Sequence, residues 1–283
     1  MSAMELLSLL DELTLEVMHS LEKLLRESRF HRVVGKGASG DKTLAFDKAV
    51  EEKILSRITR EYPDATVISE EVGVIGSGGP PFFVIDPVDG SANAERGVPF
   101  YACSIAVSSS RQLSGVQLAV IRDLTRGTLY HAVAGFGAYR DGVKISTRNH
   151  GGSSLYFSVY LVSRRSRYAR MLNPQVGASI RAFGSIALEL AMLAEGRIDV
   201  VADLRGVARP VDIAAGSLIV REAGGIVVDT RGQLLDAPLD PTCRLSFIAA
   251  KATHYLRRLK KVLGVQALPD DVTHSTQRVE FGT

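Results

Sequence analysis

Val84 to Phe100 reads VIDPVDGSANAERGVPF, an apolar strand running into two aspartates, Asp86 and Asp89, with Gly90 and Ser91 directly behind them. Pro87 cannot donate to a sheet ladder, so the spacing predicts that the strand stops at Asp86 and that the turn aims both carboxylates to one side. Carboxylates that close repel each other unless a proton or a cation lies between them. Ligands that are all oxygen favour a hard ion, Mg²⁺ or Mn²⁺, over zinc. Alone, the segment reads equally as a turn with aspartate caps. Gly90 and Ser91 shift that balance, because small residues opening a short helical turn expose backbone N–H groups that can seat a phosphate.

Other acids extend the pattern. Glu70 and Glu71 follow the β-type run TVIS, Asp47 falls in the first turn of a predicted helix, and Asp212 opens the helical segment VDIAAGSLIVREAGG. Each has an ordinary alternative: a solvated strand end for the glutamates, and a favourable dipole position for each aspartate. Together they fit a phosphatase that uses several metal ions.

The elements that would position these groups are also visible. Leu6, Leu9, Leu10, Leu13, Val17, Leu21, Leu24 and Leu25 recur at helical spacing, so Met1 to about Ser28 reads as an amphipathic helix. The loop GKGASGD follows, and then a helix with Thr43 as N-cap that turns Phe46, Val50, Ile54 and Ile58 inward. The runs TVIS, FFVID, YACSIAV, GVQLAVI and GTLYHAV predict an antiparallel or mixed sheet up to about residue 145. Beyond STRNHGGSS, strands and helices alternate: LYFSVYLV, IRAF, a helix over Ser185–Glu195, IDVVA, a helix over Pro210–Ala223, GIVVD, LSFIAA and a last helix near 252–263. The expected division is an N-terminal α+β half, 1–148, and a C-terminal α/β half, 149–283, with a polar, disordered tail after Gly264.

Composition excludes several classes. The 283 residues are 46% hydrophobic and carry 34 basic against 31 acidic side chains, so no basic surface for nucleic acid is implied. Cys103 and Cys243 form no metal-type pair and read as reduced thiols. No apolar run nears the roughly 20 residues a membrane helix needs, which with the acidic, amphipathic start points to a cytoplasmic protein. His19, His31, His131, His150, His254 and His274 show no ligand spacing.

The motifs in their order resemble the inositol monophosphatase superfamily. The helix Asp47, SEE at 69–71, DPVDGSAN at 86–93 and VDIAAGSLIVREAGG at 211–225 match its pattern over nearly the whole chain, and GVPFYACSIAV is similar to the archaeal type that acts on both inositol 1-phosphate and fructose 1,6-bisphosphate. The resemblance implies a layered αβαβα sandwich and a homodimer. It implies two to three Mg²⁺ ions, for which Mn²⁺ can substitute: Glu70, Asp86 and the Val88 carbonyl for one, and Asp86, Asp89 and Asp212 for another. A third, weaker ion would involve Glu70 and the loop from Lys36 to Asp41. Gly90 and Ser91 would hold the phosphate, with Asp47, Glu70 and Ser91 catalytic.

Several positions depart from that pattern. Arg205 and Val211 stand where inositol-specialised relatives carry Glu and Trp, and a cation there suits a second phosphate; a plain surface arginine is the alternative. Tyr160, with Arg164 or Arg165 of SRRSRYAR, is a candidate contact to the sugar or its far phosphate, with a solvated helix face as the alternative for that basic cluster. Gly184 and Ser185 of FGSIALEL are further candidates, where Ser185 is also a natural N-cap. Ser39 stands where archaeal relatives have Asp, with Asp41 as its replacement. Two other functions share the motifs: hydrolysis of 3′-phosphoadenosine 5′-phosphate, disfavoured by 6% aromatic content and no Trp, and metal or phosphate binding without catalysis, disfavoured by the complete ligand set.

Overall fold

The computed structural model describes residues 2–38, 40, 42–149, 154–161, 177–263 and 267–272. Two sheets and three helical layers alternate in the order αβαβα, and the period-two pattern of the strands is what sorts them. The first sheet runs β10-β9-β8-β7-β6-β5-β3-β4. Its strands are β3 (Thr66–Ser69), β4 (Gly73–Gly76), β5 (Phe82–Asp89), β6 (Ala102–Ser108), β7 (Val116–Asp123), β8 (Leu129–Val133), β9 (Gly137–Arg140) and β10 (Val143–Ile145). The second sheet, β12-β11-β13-β15-β14, is built from β11 (Leu155–Tyr160), β12 (Ala178–Arg181), β13 (Val200–Ala208), β14 (Ile226–Val228) and β15 (Leu245–Ala250). A small hairpin, β1 (Val33–Lys36) with β2 (Lys42–Leu44), leads into the first sheet's helices.

Along β5, Phe83 and Ile85 face α1 (Ala3–Leu25) and α2 (Ala45–Glu61), while Phe82 and Val84 face the middle layer. That middle layer is α4 (Ile186–Ala194) and α5 (Pro210–Glu222), enclosed between both sheets and therefore apolar nearly all round. On the second sheet Phe247 and Ala249 point to the middle layer, and Ile248 and Ala250 point to α6 (His254–Leu263). All eight residues of β5 are buried, since the strand is central and covered on both faces.

Some local expectations change. β5 does not stop at Asp86; it continues to Asp89 through a register shift between Asp86 and Asp89 that absorbs Pro87 as a bulge. Thr43 is not the N-cap of α2: Leu44 holds that place without a side-chain cap, and the Thr43 hydroxyl donates to Glu71 instead. α1 begins after Ser2, which caps it reciprocally with Glu5, and ends at Leu25. Of the two arrangements expected for the first sheet, the mixed one is found, with β3 and β5 parallel and its other pairs antiparallel. Cys103 is buried, Cys243 is half-buried and both are free thiols. Ser39, Asp41, Arg164, Arg165 and the segment after residue 272 lie outside the described residues.

Candidate active site

Because β3 and β5 run parallel with Ser69 opposite Ile85, Glu70 and Asp86 follow at the same level. β5 then leads into α3 (Ser91–Glu95), and the starts of α4 and α5 reach this end through Ser185, Ala187 and Asp212. Strand ends facing helix starts are the usual place for a ligand in layered α/β folds. Glu70 comes one residue after β3, Asp86 from the bulge of β5 and Asp212 from the first turn of α5. Carboxylate oxygens of these three lie within 4.8 Å of one another. Asp89 falls outside that trio: its Oδ2 accepts hydrogen bonds from the Ser185 hydroxyl at 2.7 Å and the Ala187 N–H at 2.6 Å.

Even with Arg209 beside Glu70 and Asp212, burial leaves the charged forms of the group unfavourable. Burial pushes Asp86 well above the ordinary carboxylate range, and the neighbouring charges of Glu70, Asp89 and Asp212 add to it. Burial also raises Glu70 and Asp89 to about 7, opposed at Glu70 by Arg209 and at Asp89 by the Ser185 hydrogen bond. Asp86 Oδ1 is buried and has no hydrogen-bond partner among the described residues. A buried carboxylate oxygen left without a donor, in a cluster of oxygen ligands, fits a hard divalent cation.

Asp47, on α2, is buried and raised to about 8, chiefly by burial and then by Glu71. Its Oδ1 lies 3.1 Å from the Ser91 hydroxyl, which also reaches the Val88 carbonyl at 2.8 Å. Gly90 turns the chain from β5 into α3 with φ +95°, and a Cβ there would stand 3.0 Å from the Gly184 carbonyl oxygen and 3.1 Å from that of Phe100. Only glycine suits both the dihedral and the space.

Sequence reasoning passed over four residues that hold this arrangement. Glu51 is fully buried on α2; its Oε1 accepts from the Ser69 hydroxyl at 2.5 Å and from the N–H groups of Glu71 and Val72, fixing the chain that carries Glu70. Its signal is an acid one turn after Asp47 in an otherwise apolar inward stripe. Glu189, in the apolar run IALELA, accepts from the Tyr160 hydroxyl at 2.6 Å and the Phe183 N–H at 2.8 Å. The Asn93 amide donates to the carbonyls of Phe100 and Phe183, both at 2.8 Å, so DGSAN is tied to the loop before α4. Arg209 precedes α5 and donates to Glu70 at 2.5 Å and to Asp212 at 2.8 Å.

Beside the carboxylates lies a cavity of about 540 Å³ whose lining includes Asp89, Tyr160, Gly184, Arg205, Asp212 and Arg244. Tyr160 and Gly184, expected from the sequence as sugar contacts, both line it. Ser185 is fully buried and donates to Asp89, which lines the cavity. Arg205 pairs with Asp203 at 2.7 Å and lies over the Tyr160 ring at 4.6 Å, so this aromatic face is covered. Val211 is buried in the core.

Layered sheets with a carboxylate cluster at their strand ends, next to a Gly-Ser turn, define a phosphatase. The model of the inositol monophosphatase family matches residues 5–264. A fructose-1,6-bisphosphatase of Pyrococcus furiosus is 36% identical over 80% of this chain and 85% of its own length. A fructose-1,6-bisphosphatase/inositol-1-monophosphatase of Methanothermobacter thermautotrophicus is 34% identical over 82% and 87%. A solved inositol monophosphatase-fructose 1,6 bisphosphatase superposes with a TM-score of 0.79 at 29% identity, covering 93% of this chain and 100% of that one. The chain belongs to the inositol monophosphatase family, and is a phosphoric monoester hydrolase with its αβαβα architecture.

Proposed function

We propose that this phosphatase acts on fructose 1,6-bisphosphate and inositol 1-phosphate with two to three Mg²⁺ ions, Mn²⁺ substituting. The observation that carries the metal reading is the buried, unpartnered Asp86 Oδ1 among Glu70 and Asp212. Glu70, Asp86 and the Val88 carbonyl would hold one ion, and Asp86, Asp89 and Asp212 another. When bound, the ions supply a nucleophilic water at neutral pH and offset the charge of the phosphate.

The chain's own groups do the rest. The Ser91 hydroxyl has one proton and two acceptors in reach, so it can donate to Asp47 or Val88 while its oxygen accepts from water. Asp47, which burial and the charges of Glu71 and Glu70 raise to about 8, would accept the proton that the water loses in its ionised form, which cations offsetting those charges favour. Backbone N–H groups of Gly90 and Ser91 orient the phosphate, and Ser185 keeps Asp89 aimed by hydrogen bonding to it. Of the two halves, 1–148 supplies Asp47, Glu70, Asp86, Asp89 and Ser91, and 149–283 supplies Asp212 and the sugar-facing wall of Tyr160, Gly184 and Arg205.

For a bisphosphate, the far phosphate would meet Arg205. Its Nε and Nη2 are engaged by Asp203, which leaves Nη1 without a partner among the described residues and the guanidinium fixed. Arg209 and Arg244 bring two further guanidinium groups to the same cavity. A homodimer in the cytoplasm completes the reading; among the described residues no helix is long and apolar enough to cross a membrane.

Phosphate release from fructose 1,6-bisphosphate, inositol 1-phosphate and 3′-phosphoadenosine 5′-phosphate, side by side with and without Mg²⁺, tests the proposal. Release from the first two only with Mg²⁺ is expected. Preference for the nucleotide would replace the substrate reading, and activity on none would reject it. Arg205→Ala should raise KM for the bisphosphate by about tenfold while leaving the monophosphate within about twofold; equal effects on both would remove Arg205 from the distal site.

A further inference from the structure

Arg209 stands inside the carboxylate cluster. Its side chain is only 13% exposed, and its fork spans the two halves of the chain: Nη1 lies 2.5 Å from Glu70 Oε1 and Nη2 lies 2.8 Å from Asp212 Oδ1. Nε adds a bond of 3.0 Å to the same Asp212 oxygen, and the Arg209 backbone N–H caps Asp212 Oδ2 at 2.8 Å. One guanidinium therefore bridges two of the three carboxylates whose oxygens fall within 4.8 Å of one another. Both carboxylates are ones that the proposed function gives to metal ions.

A positive charge within hydrogen-bond range of ligand oxygens has two opposite effects. It compensates buried carboxylates that would otherwise repel each other, and it repels any cation approaching the same oxygens. A carboxylate has about four acceptor positions, so one ligand can serve both an N–H and a metal. A side chain whose three nitrogens all bond to two ligands, however, occupies acceptor positions that a divalent ion also needs.

We propose that Arg209 is the resident counter-cation of the metal site: it bridges Glu70 and Asp212 until a divalent ion binds, then withdraws its fork from at least one of them. Arg209 also lines the substrate cavity beside Asp89 and Arg205, so the withdrawn guanidinium moves along a wall it already forms. Arg209 is thus a positioning residue that holds Glu70 and Asp212 in register and weakens metal binding in return. The inference rests on the reading that this cluster binds Mg²⁺.

Calorimetric titration of Mg²⁺ and Mn²⁺ into the full, EDTA-stripped chain tests it without reference to catalysis. Arg209→Met should lower the dissociation constant by about tenfold, by removing the like charge, and should melt at lower temperature than wild type in EDTA. Arg209→Lys keeps the charge without the fork and should give a smaller gain in affinity; if the Met variant does not fold, this titration decides. Unchanged or weaker metal binding in the variant that folds would show that Arg209 only orders the ligands, and would overturn the proposal while leaving the metal reading intact. Failure of the wild type to bind either ion would reject the metal reading, and this inference with it.

Discussion

Asp86 owes its environment to the strand that carries it. A carboxylate at the end of a wholly buried strand cannot reach solvent, and its neighbours Glu70, Asp89 and Asp212 only make its charge less favourable. Asp47 is under the same pressure, opposed by the hydrogen bond from the nearby Ser91 hydroxyl, and the proposed function makes it the base that acts through that hydroxyl. Ser91→Ala should lower kcat by roughly 100-fold or more, the scale of a lost proton relay, whereas Ser91→Thr should stay within about tenfold of wild type. Steady-state kinetics on inositol 1-phosphate decide; full activity in the alanine variant would remove Ser91 from the relay. Asp47, Glu70, Asp86, Asp89 and Asp212 were legible only as a set, because each alone has an ordinary alternative and the order of the motifs that carry them is what singles them out. Glu51 and Glu189 were not, because an isolated acid in an inward stripe identifies itself only when its hydrogen-bond partners, Ser69 and Tyr160, are brought from elsewhere in the chain.

At the scale of elements, the bulge in β5 and the Gly90 turn decide where the groups point. The register shift between Asp86 and Asp89 lets one strand present carboxylates to two settings, Asp86 to Glu70 and Asp212, and Asp89 to the start of α4. Pro87 announced an interruption, but a bulge and a strand end lack the same ladder bond, so sequence could not separate them. Thr43 was misread for a similar reason: a hydroxyl before a helix is a natural cap, yet Glu71, 28 residues later, claims it. Gly90→Ala forces a Cβ to 3.0 Å from a backbone oxygen at φ +95°, and should cost about 1–3 kcal/mol and lower kcat by displacing Ser91. Gly97, with φ +69° and nothing within 4 Å of an added Cβ, is the control for dihedral strain alone. Chemical denaturation should rank Gly90→Ala as the more damaging; the reverse order would mean that the close approach at Gly90 carries no weight.

For the whole molecule, five layers bring acids from three separate elements into one buried cluster, and stability becomes tied to pH and metal. Asp47 at about 8, with Glu70 and Asp89 at about 7, all sit above unfolded values near 4, so the folded protein holds more protons between those limits. Stability should therefore fall as pH rises through the raised values. Thermal melts in EDTA from about pH 5 to about pH 9 should show that decline, and Mg²⁺ should flatten it by compensating the ionised cluster; a melting temperature that rises with pH in EDTA would contradict the burial argument. The layering was legible through the resemblance that the ordered motifs carry, since the strand and helix runs by themselves give only a sheet-rich half followed by an α/β half. The Arg209 bridge was not, since it joins residues 139 positions apart. The most direct test of the account is release of inorganic phosphate by wild type and Asp86→Asn with and without Mg²⁺. Release that depends on Mg²⁺ in wild type and falls at least about 100-fold in the variant is predicted, whereas Mg²⁺-independent release, or an Asp86→Asn variant as active as wild type, would contradict a metal-centred site at the end of β5.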